Sequence, residues 1–290
     1  MTAPCEAGEP RYAVAMTQHP PDPSSDPGAM IAQLRQQVLD GWESGADFFD
    51  QRWGDQGDEF HHEVFAPAAE RMLGLEHGAK VIEFACGNGA FARRLGRQGM
   101  SVLATDLSPA LIAHAERRTE TISDQAVDVT YRTVDATDER AILNCGGPFD
   151  AAVCIMGVMS MPLLRPMFGG AWRVLRQRGV FVVVTLHPAF ATSGYKFTKS
   201  EQDDEPHGLT IERYLSRYVT HGVTNTAQKE PQVYFHRSMS ELLADAFASG
   251  LVLDGMEELS APPQPTEEAK LIWNMLPDIP MAVALRFRRV

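Results

Sequence analysis

Cysteine is scarce in this chain of 290 residues: Cys5, Cys86, Cys145 and Cys154 are the four, and no two share a C-x-x-C spacing. That pattern supports neither a disulfide framework nor a zinc site. Long apolar runs are missing as well. No stretch approaches the ~18 uninterrupted apolar residues of a membrane span, and the first residues lack a basic segment followed by an apolar one, so a cytoplasmic protein with no membrane partner is expected. Positive charge is in deficit, with 26 Lys and Arg against 38 Asp and Glu for a net charge of −12. Phosphate binding needs a basic face, so nucleic acid is not an expected partner.

The hydrophobic content of 44% is ordinary for a globular protein and suffices for one core. Residues 1–28 are rich in Pro, Ser, Asp and Gly and carry too few apolar side chains to pack, which predicts disorder. Over residues 29–78 the apolar spacing becomes helical, through Ile31, Leu34, Val38, Leu39 and Trp42 and then Phe65, Ala68, Met72 and Leu73, and predicts a helical lid. From 79 to 290 strand and helix patterns alternate, with strands expected near 80–85, 101–105, 128–133, 149–155, 180–186, 251–257 and 281–288. This order predicts an α/β fold, doubly wound, with a mostly parallel sheet and helices on both faces. Residues 187–237 interrupt the alternation after the fifth strand and read as a polar, aromatic insertion covering a substrate.

The segment Val81-Ile82-Glu83-Phe84-Ala85-Cys86-Gly87-Asn88-Gly89-Ala90-Phe91 is an apolar strand, a small-residue turn and a helix start. Gly87 and Gly89 supply the backbone freedom that a tight turn needs when a ligand approaches it, and the helix that follows offers unpaired N–H groups. In an open parallel sheet the ligand binds beyond the carboxyl ends of the strands. Asp106, closing Val102-Leu103-Ala104-Thr105-Asp106, is placed to accept both hydroxyl protons of a ribose. The same glycines satisfy the G-x-G-x-x-G/A fingerprint of NAD-binding proteins, so the turn alone leaves two cofactor classes open. Glu83 adds a charge inside an apolar strand, a costly position unless it is hydrogen-bonded. Asp135-Ala136 follows the third strand, and Arg173-Val174-Leu175-Arg176-Gln177-Arg178-Gly179 precedes the fifth.

With these residues the chain resembles a class I, Rossmann-like S-adenosylmethionine-dependent methyltransferase of the bacterial small-molecule subgroup, over roughly residues 40–290. The hydrophobic-acid-x-x-C-G-x-G pattern of that family is met by Glu83 with Cys86-Gly87-Asn88-Gly89. Its R-V-L-K-P-G-G block appears here with Gln177 and Arg178 in place of Pro and the first Gly. The subgroup's His-Pro-x-Phe and Tyr-x-His-Arg elements are matched by His187-Pro188-Ala189-Phe190 and Tyr234-Phe235-His236-Arg237. The resemblance implies seven strands with a late antiparallel edge pair, and S-adenosylmethionine as cofactor with S-adenosylhomocysteine as product.

It further implies that Glu83, Ala85, Cys86, Gly87 and Gly89 form the cofactor loop, with Glu83 organising the methionyl amino end. Asp106 and Leu107 would hold the ribose, Asp135 and Ala136 the adenine, and Met156 would lie beneath the sulfonium. Phe49, Trp53 and His61 would cover the methionyl end from the lid. Adjacent His61-His62-Glu63 side chains diverge on a helix and no third ligand is suitably spaced, so no metal is expected. His187, ending the fifth strand with a pKa near neutrality, is the candidate general base. Tyr195, Arg213, Tyr214, Tyr218, His236 and Arg237 cluster in the insertion as candidate substrate contacts, the two arginines suiting a carboxylate or phosphate.

The leading expectation is in-line methyl transfer to oxygen, nitrogen, sulfur or carbon of a small molecule. The alternatives are a non-methylating enzyme that uses the bound cofactor for decarboxylation, cyclisation or dehalogenation, an NAD-dependent dehydrogenase, and a cofactor-sensing regulator. Monomer and homodimer are both open.

Overall fold

A computed structural model describes residues 26–122, 127–191, 195–199, 206–223, 228, 231–261 and 276–290. The disorder expected for 1–28 falls mainly on residues 1–25, outside the described residues, while Pro27 already opens a helix capped by Asp26, whose carboxylate accepts the Gly28 N–H. This helix, α1 (Pro27–Trp53), is followed by a π-helical turn at His61–Phe65 and by α2 (Ala66–Leu73). The core then runs β1 (Lys80–Phe84), α3 (Ala90–Arg97), β2 (Ser101–Asp106), α4 (Pro109–Glu120), β3 (Val129–Thr133), α5 (Glu139–Leu143), β4 (Phe149–Ile155), α6 (Arg165–Val174) and β5 (Leu175–Leu186). Two antiparallel pairs follow: β6 (Tyr195–Lys199) with β7 (Pro206–Ile211), and β8 (Tyr218–Gly222) with β9 (Gln232–His236). The chain closes with α7 (Met239–Ala248), β10 (Leu251–Leu259) and β11 (Ala282–Arg289).

All seven strands expected from the pattern occur, in one sheet of order β10-β11-β5-β4-β1-β2-β3. β1 to β5 pair in parallel, and β11 lies antiparallel to both β5 and β10. Alternation along the central strands sends side chains to two cores. Val81, Val102, Val153 and Val182 pack beneath α2 and α3, whereas Ile82, Phe84, Ala152, Phe181 and Leu285 pack against α6 and α7.

The lid is shorter than predicted. α1 lies over the carboxyl ends of the strands, but α2 buries Ala68, Ala69, Met72 and Leu73 against the sheet itself and is a core helix. Helical periodicity identifies an apolar stripe without saying which surface it will meet.

β5 begins earlier than expected because it carries a bulge. Phe149 pairs with Leu175 and Ala151 with Val180, leaving extra residues on β5 between them. Arg178 sits there with φ 62°, in the left-handed region, at the position where the resembled block has glycine. A side chain in that region costs about 1 kcal/mol relative to glycine. Arg178→Gly is therefore expected to raise stability by about 0.5–1 kcal/mol in urea unfolding, with no change in ligand affinity.

Candidate functional site

A cavity of about 1040 Å³ opens at the carboxyl ends of the parallel strands. That is the upper end of the range for small-molecule sites, with room for more than one drug-sized ligand. The floor comes from the ends of β1, β2, β4 and β5, and the roof from α1, residues 54–65, and β8 and β9. The two roof pieces hold each other. Val38 and Trp42 of α1 pack with Val233 and Phe235 of β9 and with Leu107, and the Gln232 amide donates to the Gly41 carbonyl at 2.9 Å. Carboxylates of α1 fasten it to α4: Glu43 accepts the Ser108 hydroxyl and the Ala110 N–H, and Asp50 takes a bidentate contact from Arg118.

The turn after β1 is bent back by left-handed residues at Ala85, Gly87 and Gly89, with φ 54°, 57° and 78°. At Gly87 the cradle is tight, since an added Cβ would lie 2.9 Å from the Trp53 ring. Its N–H donates to Asp106 at 2.9 Å, locking the turn to the end of β2. Gly89 does not line the cavity. A Cβ there would meet the Tyr131 hydroxyl at 2.6 Å, so this glycine serves packing behind the turn rather than ligand contact. Arg93, with no exposed surface, braces the turn from behind, donating to the carbonyls of Asn88 and Asp55. The Asn88 amide donates in turn to Asp50 and to the Gly54 carbonyl. Neither Arg93 nor Asn88 was predicted; the helical spacing that turns Arg93 inward was the only sequence signal.

Glu83 lines the cavity, fully buried, and its Oε2 has no hydrogen-bond partner in the protein. Burial pushes its pKa up to about 8, against a partial counter-pull from Arg93. A carboxyl with one unpartnered oxygen beside a glycine turn fits a ligand cation, the group that would hold it ionised. Asp106 also lines the cavity and has its pKa raised by burial, offset by N–H donors at Ser108 and Gly87. Its two oxygens keep acceptor capacity for further donors. Cys86 and Leu107 line the same end, and burial pushes the Cys86 thiol up, so it is no nucleophile.

Ala85, Ala136, Met156, Phe49, Trp53 and His61 all line the cavity, and Phe49 and Trp53 stack at 5.0 Å beneath Trp42. His61 is half-buried; desolvation lowers its pKa and keeps it neutral, and its Nδ1 lacks a partner. Asp135 is at the cavity but engaged. Thr137 donates its N–H and hydroxyl to Oδ1, and Arg35 of α1 donates to Oδ2 at 2.9 Å, so an adenine amino group would share this oxygen with the lid. Among the described residues no group of three His, Cys, Asp or Glu side chains is arranged to hold a metal.

His187 is corrected. It does not line the cavity: its Nδ1 accepts the Ala189 N–H at 3.2 Å, its Nε2 faces Glu258 at 3.2 Å, and its own N–H bonds Met281 of the last crossover. With both ring nitrogens occupied it fixes the exit from β5 instead of serving as base. The insertion residues separate in the same way. Tyr214 caps α7, accepting the Met239 N–H, Arg213 is exposed above the Tyr218 ring, and Tyr218 stacks on His236; none of the three lines the cavity. The Tyr195 side chain lies outside what is described, though its backbone is in β6. His236 and Arg237 do line the cavity. Arg237, however, spends its terminal nitrogens on the carbonyls of Val158, Met161 and Pro162, and burial lowers its pKa to about 10.

A seven-stranded sheet with β11 antiparallel between β5 and β10, and a glycine turn and two acids at the carboxyl ends of β1 and β2, define the class I, Rossmann-like methyltransferase fold. Residues 81–179, from β1 to the bulge of β5, match the family model described as a methyltransferase domain. Over 114 residues, 39% of this chain, the sequence is 29% identical to the ubiquinone biosynthesis O-methyltransferase of Xylella fastidiosa. The chain spans 44% of the length of the curated relatives it matches. A methyltransferase structure from Mesorhizobium loti, described as S-adenosylmethionine-dependent, superposes with a TM-score of 0.59 at 24% identity, covering 77% of this chain and 96% of that one. The magnesium protoporphyrin IX methyltransferase of Synechocystis, solved with bound S-adenosylhomocysteine, superposes with a TM-score of 0.56 at 13% identity, covering 89% of this chain and all of that one.

Proposed function

We propose that this chain binds S-adenosylmethionine at the β1–β2 end of the cavity and transfers its methyl group to a small molecule held at the β4–β5 end, in the cytoplasm. The observation that carries the reading is Glu83: a buried carboxyl at the glycine turn whose Oε2 has no partner in the protein, one strand from Asp106, suits a ligand that brings both a ribose and a cation. NAD offers no ammonium for it. The antiparallel β11 also departs from the parallel six-stranded order of dinucleotide-binding dehydrogenases. One relative is named a ubiquinone biosynthesis O-methyltransferase and one structural neighbour a magnesium protoporphyrin IX methyltransferase, which supports a small-molecule acceptor.

When bound, the cofactor would supply a methyl group already activated on a positively charged sulfur. The protein's contribution is then position. Gly87 admits the ligand against Trp53, Asp106 orients its ribose, Glu83 its amino group, and the Val38–Phe235 roof excludes water. No described helix is long and apolar enough to cross a membrane.

Calorimetric titration tests the reading. S-adenosylhomocysteine is expected to bind and NAD to give no heat, and Asp106→Ala is expected to weaken S-adenosylhomocysteine at least ~30-fold, by removing ribose acceptors and releasing the Gly87 N–H. Binding of NAD alone would overturn it. Product mass then separates methyl transfer, which adds one methyl, from the non-methylating alternatives.

A further inference from the structure

Buried polar atoms without partners are rare in a folded protein, and each asks for an explanation. Among the described residues, Glu83, His61, Ser160 and His236 each line the cavity and carry one. Glu83 and His61 belong to the glycine turn and lid. Ser160 and His236 sit at the other end, on the 3₁₀ turn Val158–Ser160 and on β9, two segments packed against each other.

His236 has a defined tautomer. Its Nε2 lies 2.8 Å from the Tyr214 carbonyl, which can only accept, so Nε2 carries the proton. Burial lowers the pKa of the ring and keeps it neutral, leaving Nδ1 a bare acceptor. The ring cannot easily turn away, because it stacks on Tyr218 with centroids 4.5 Å apart and planes 14° apart.

The surroundings decide what charge the occupant carries. The lining residues contributed by 156–164, β5 and its exit, β8, β9, α7 and Met281 include no Asp, Glu or Lys. Their one guanidinium, Arg237, is turned to the carbonyls of Val158, Met161 and Pro162. Across the whole cavity Asp and Glu outnumber Arg among the lining side chains, so its field repels anions. Met156, Met159, Met161 and Met281 make the wall soft and polarisable, a surface that adapts to apolar and aromatic ligands.

We propose that this end of the cavity is the acceptor subsite, and that it takes an uncharged, largely apolar molecule whose O–H or N–H donates to Nδ1 of His236, with the Ser160 hydroxyl as second polar contact. This rests on the methyltransferase reading, since it assigns the half of the cavity that the cofactor leaves. It also replaces the anionic substrate expected from Arg213 and Arg237.

The test uses the intact protein saturated with S-adenosylhomocysteine, whose binding is measured first, and three probes of one shape: 2-naphthol, 2-naphthylamine and 2-naphthoate. Calorimetry is expected to show both uncharged probes binding at least ~10-fold more tightly than the carboxylate. His236→Phe, which keeps a ring on Tyr218, and Ser160→Ala are each expected to weaken 2-naphthol about 5- to 20-fold while leaving S-adenosylhomocysteine within about twofold. Tighter binding of 2-naphthoate, no binding of 2-naphthol, or unchanged 2-naphthol affinity in both variants would overturn the assignment. Failure of S-adenosylhomocysteine to bind would instead overturn the cofactor reading beneath it.

Discussion

Glu83→Gln is expected to lower affinity for S-adenosylhomocysteine by about 30- to 100-fold while making the ligand-free protein more stable at alkaline pH. The first effect follows from replacing a carboxylate by an amide opposite an ammonium, a charged hydrogen bond contributing about 2–3 kcal/mol. The second follows from proton linkage. Burial holds the Glu83 pKa at about 8 in the folded protein, against 4.5 for the ordinary side chain, so between these values the folded state binds the extra proton. Unfolding free energy contributed by this group therefore falls as pH rises from about 4.5 to about 8 and then levels off, a loss of several kcal/mol. Gln carries no such penalty. The stability gain of the variant should be near zero at pH 5 and full at pH 9, read from urea midpoints. In the parent protein, ligand binding at pH 7 should release close to one proton, measured by calorimetry in buffers of different ionisation heat. A variant that binds within threefold of the parent would remove Glu83 from the site.

Arg93→Met is expected to cost about 2–4 kcal/mol of stability and to lower Tm by roughly 5–10 °C. The substitution keeps the buried volume roughly filled but leaves the carbonyls of Asn88 and Asp55 without their donor. These two carbonyls belong to the glycine turn and to the chain leaving α1, so the loss falls on the β1–β2 end of the cavity. S-adenosylhomocysteine affinity should drop with stability, and saturating ligand should restore part of the Tm. Unchanged affinity in a destabilised variant would confine Arg93 to the fold.

The glycine turn and the acids at the ends of β1 and β2 were legible because their information is local. Glu83, Gly87 and Asp106 are placed by strand ends and a turn, and any parallel sheet that carries them brings them together. The strand set was legible for the same reason: short apolar runs bounded by turn residues. His187 and Arg237 were not legible in this way, because their partners lie far along the chain. His187 follows β5 and by the strand-end rule should face the cleft, yet Glu258 of β10 and Met281, just before β11, hold it aside. Arg237 has the chemistry of an anion receptor until the turn at 158–162 folds over its nitrogens.

By itself, then, the sequence determined the alternation of strands and helices, the glycine turn and the acids that flank it, since backbone geometry and side-chain periodicity act over a few residues. Tertiary structure alone decided that α2 joins the core while α1 covers the cavity, that Gln232 ties β9 to Gly41, and that Nδ1 of His236 is left bare while His187 is occupied. Those outcomes depend on which surfaces meet, and on which donors and acceptors are already satisfied when they do.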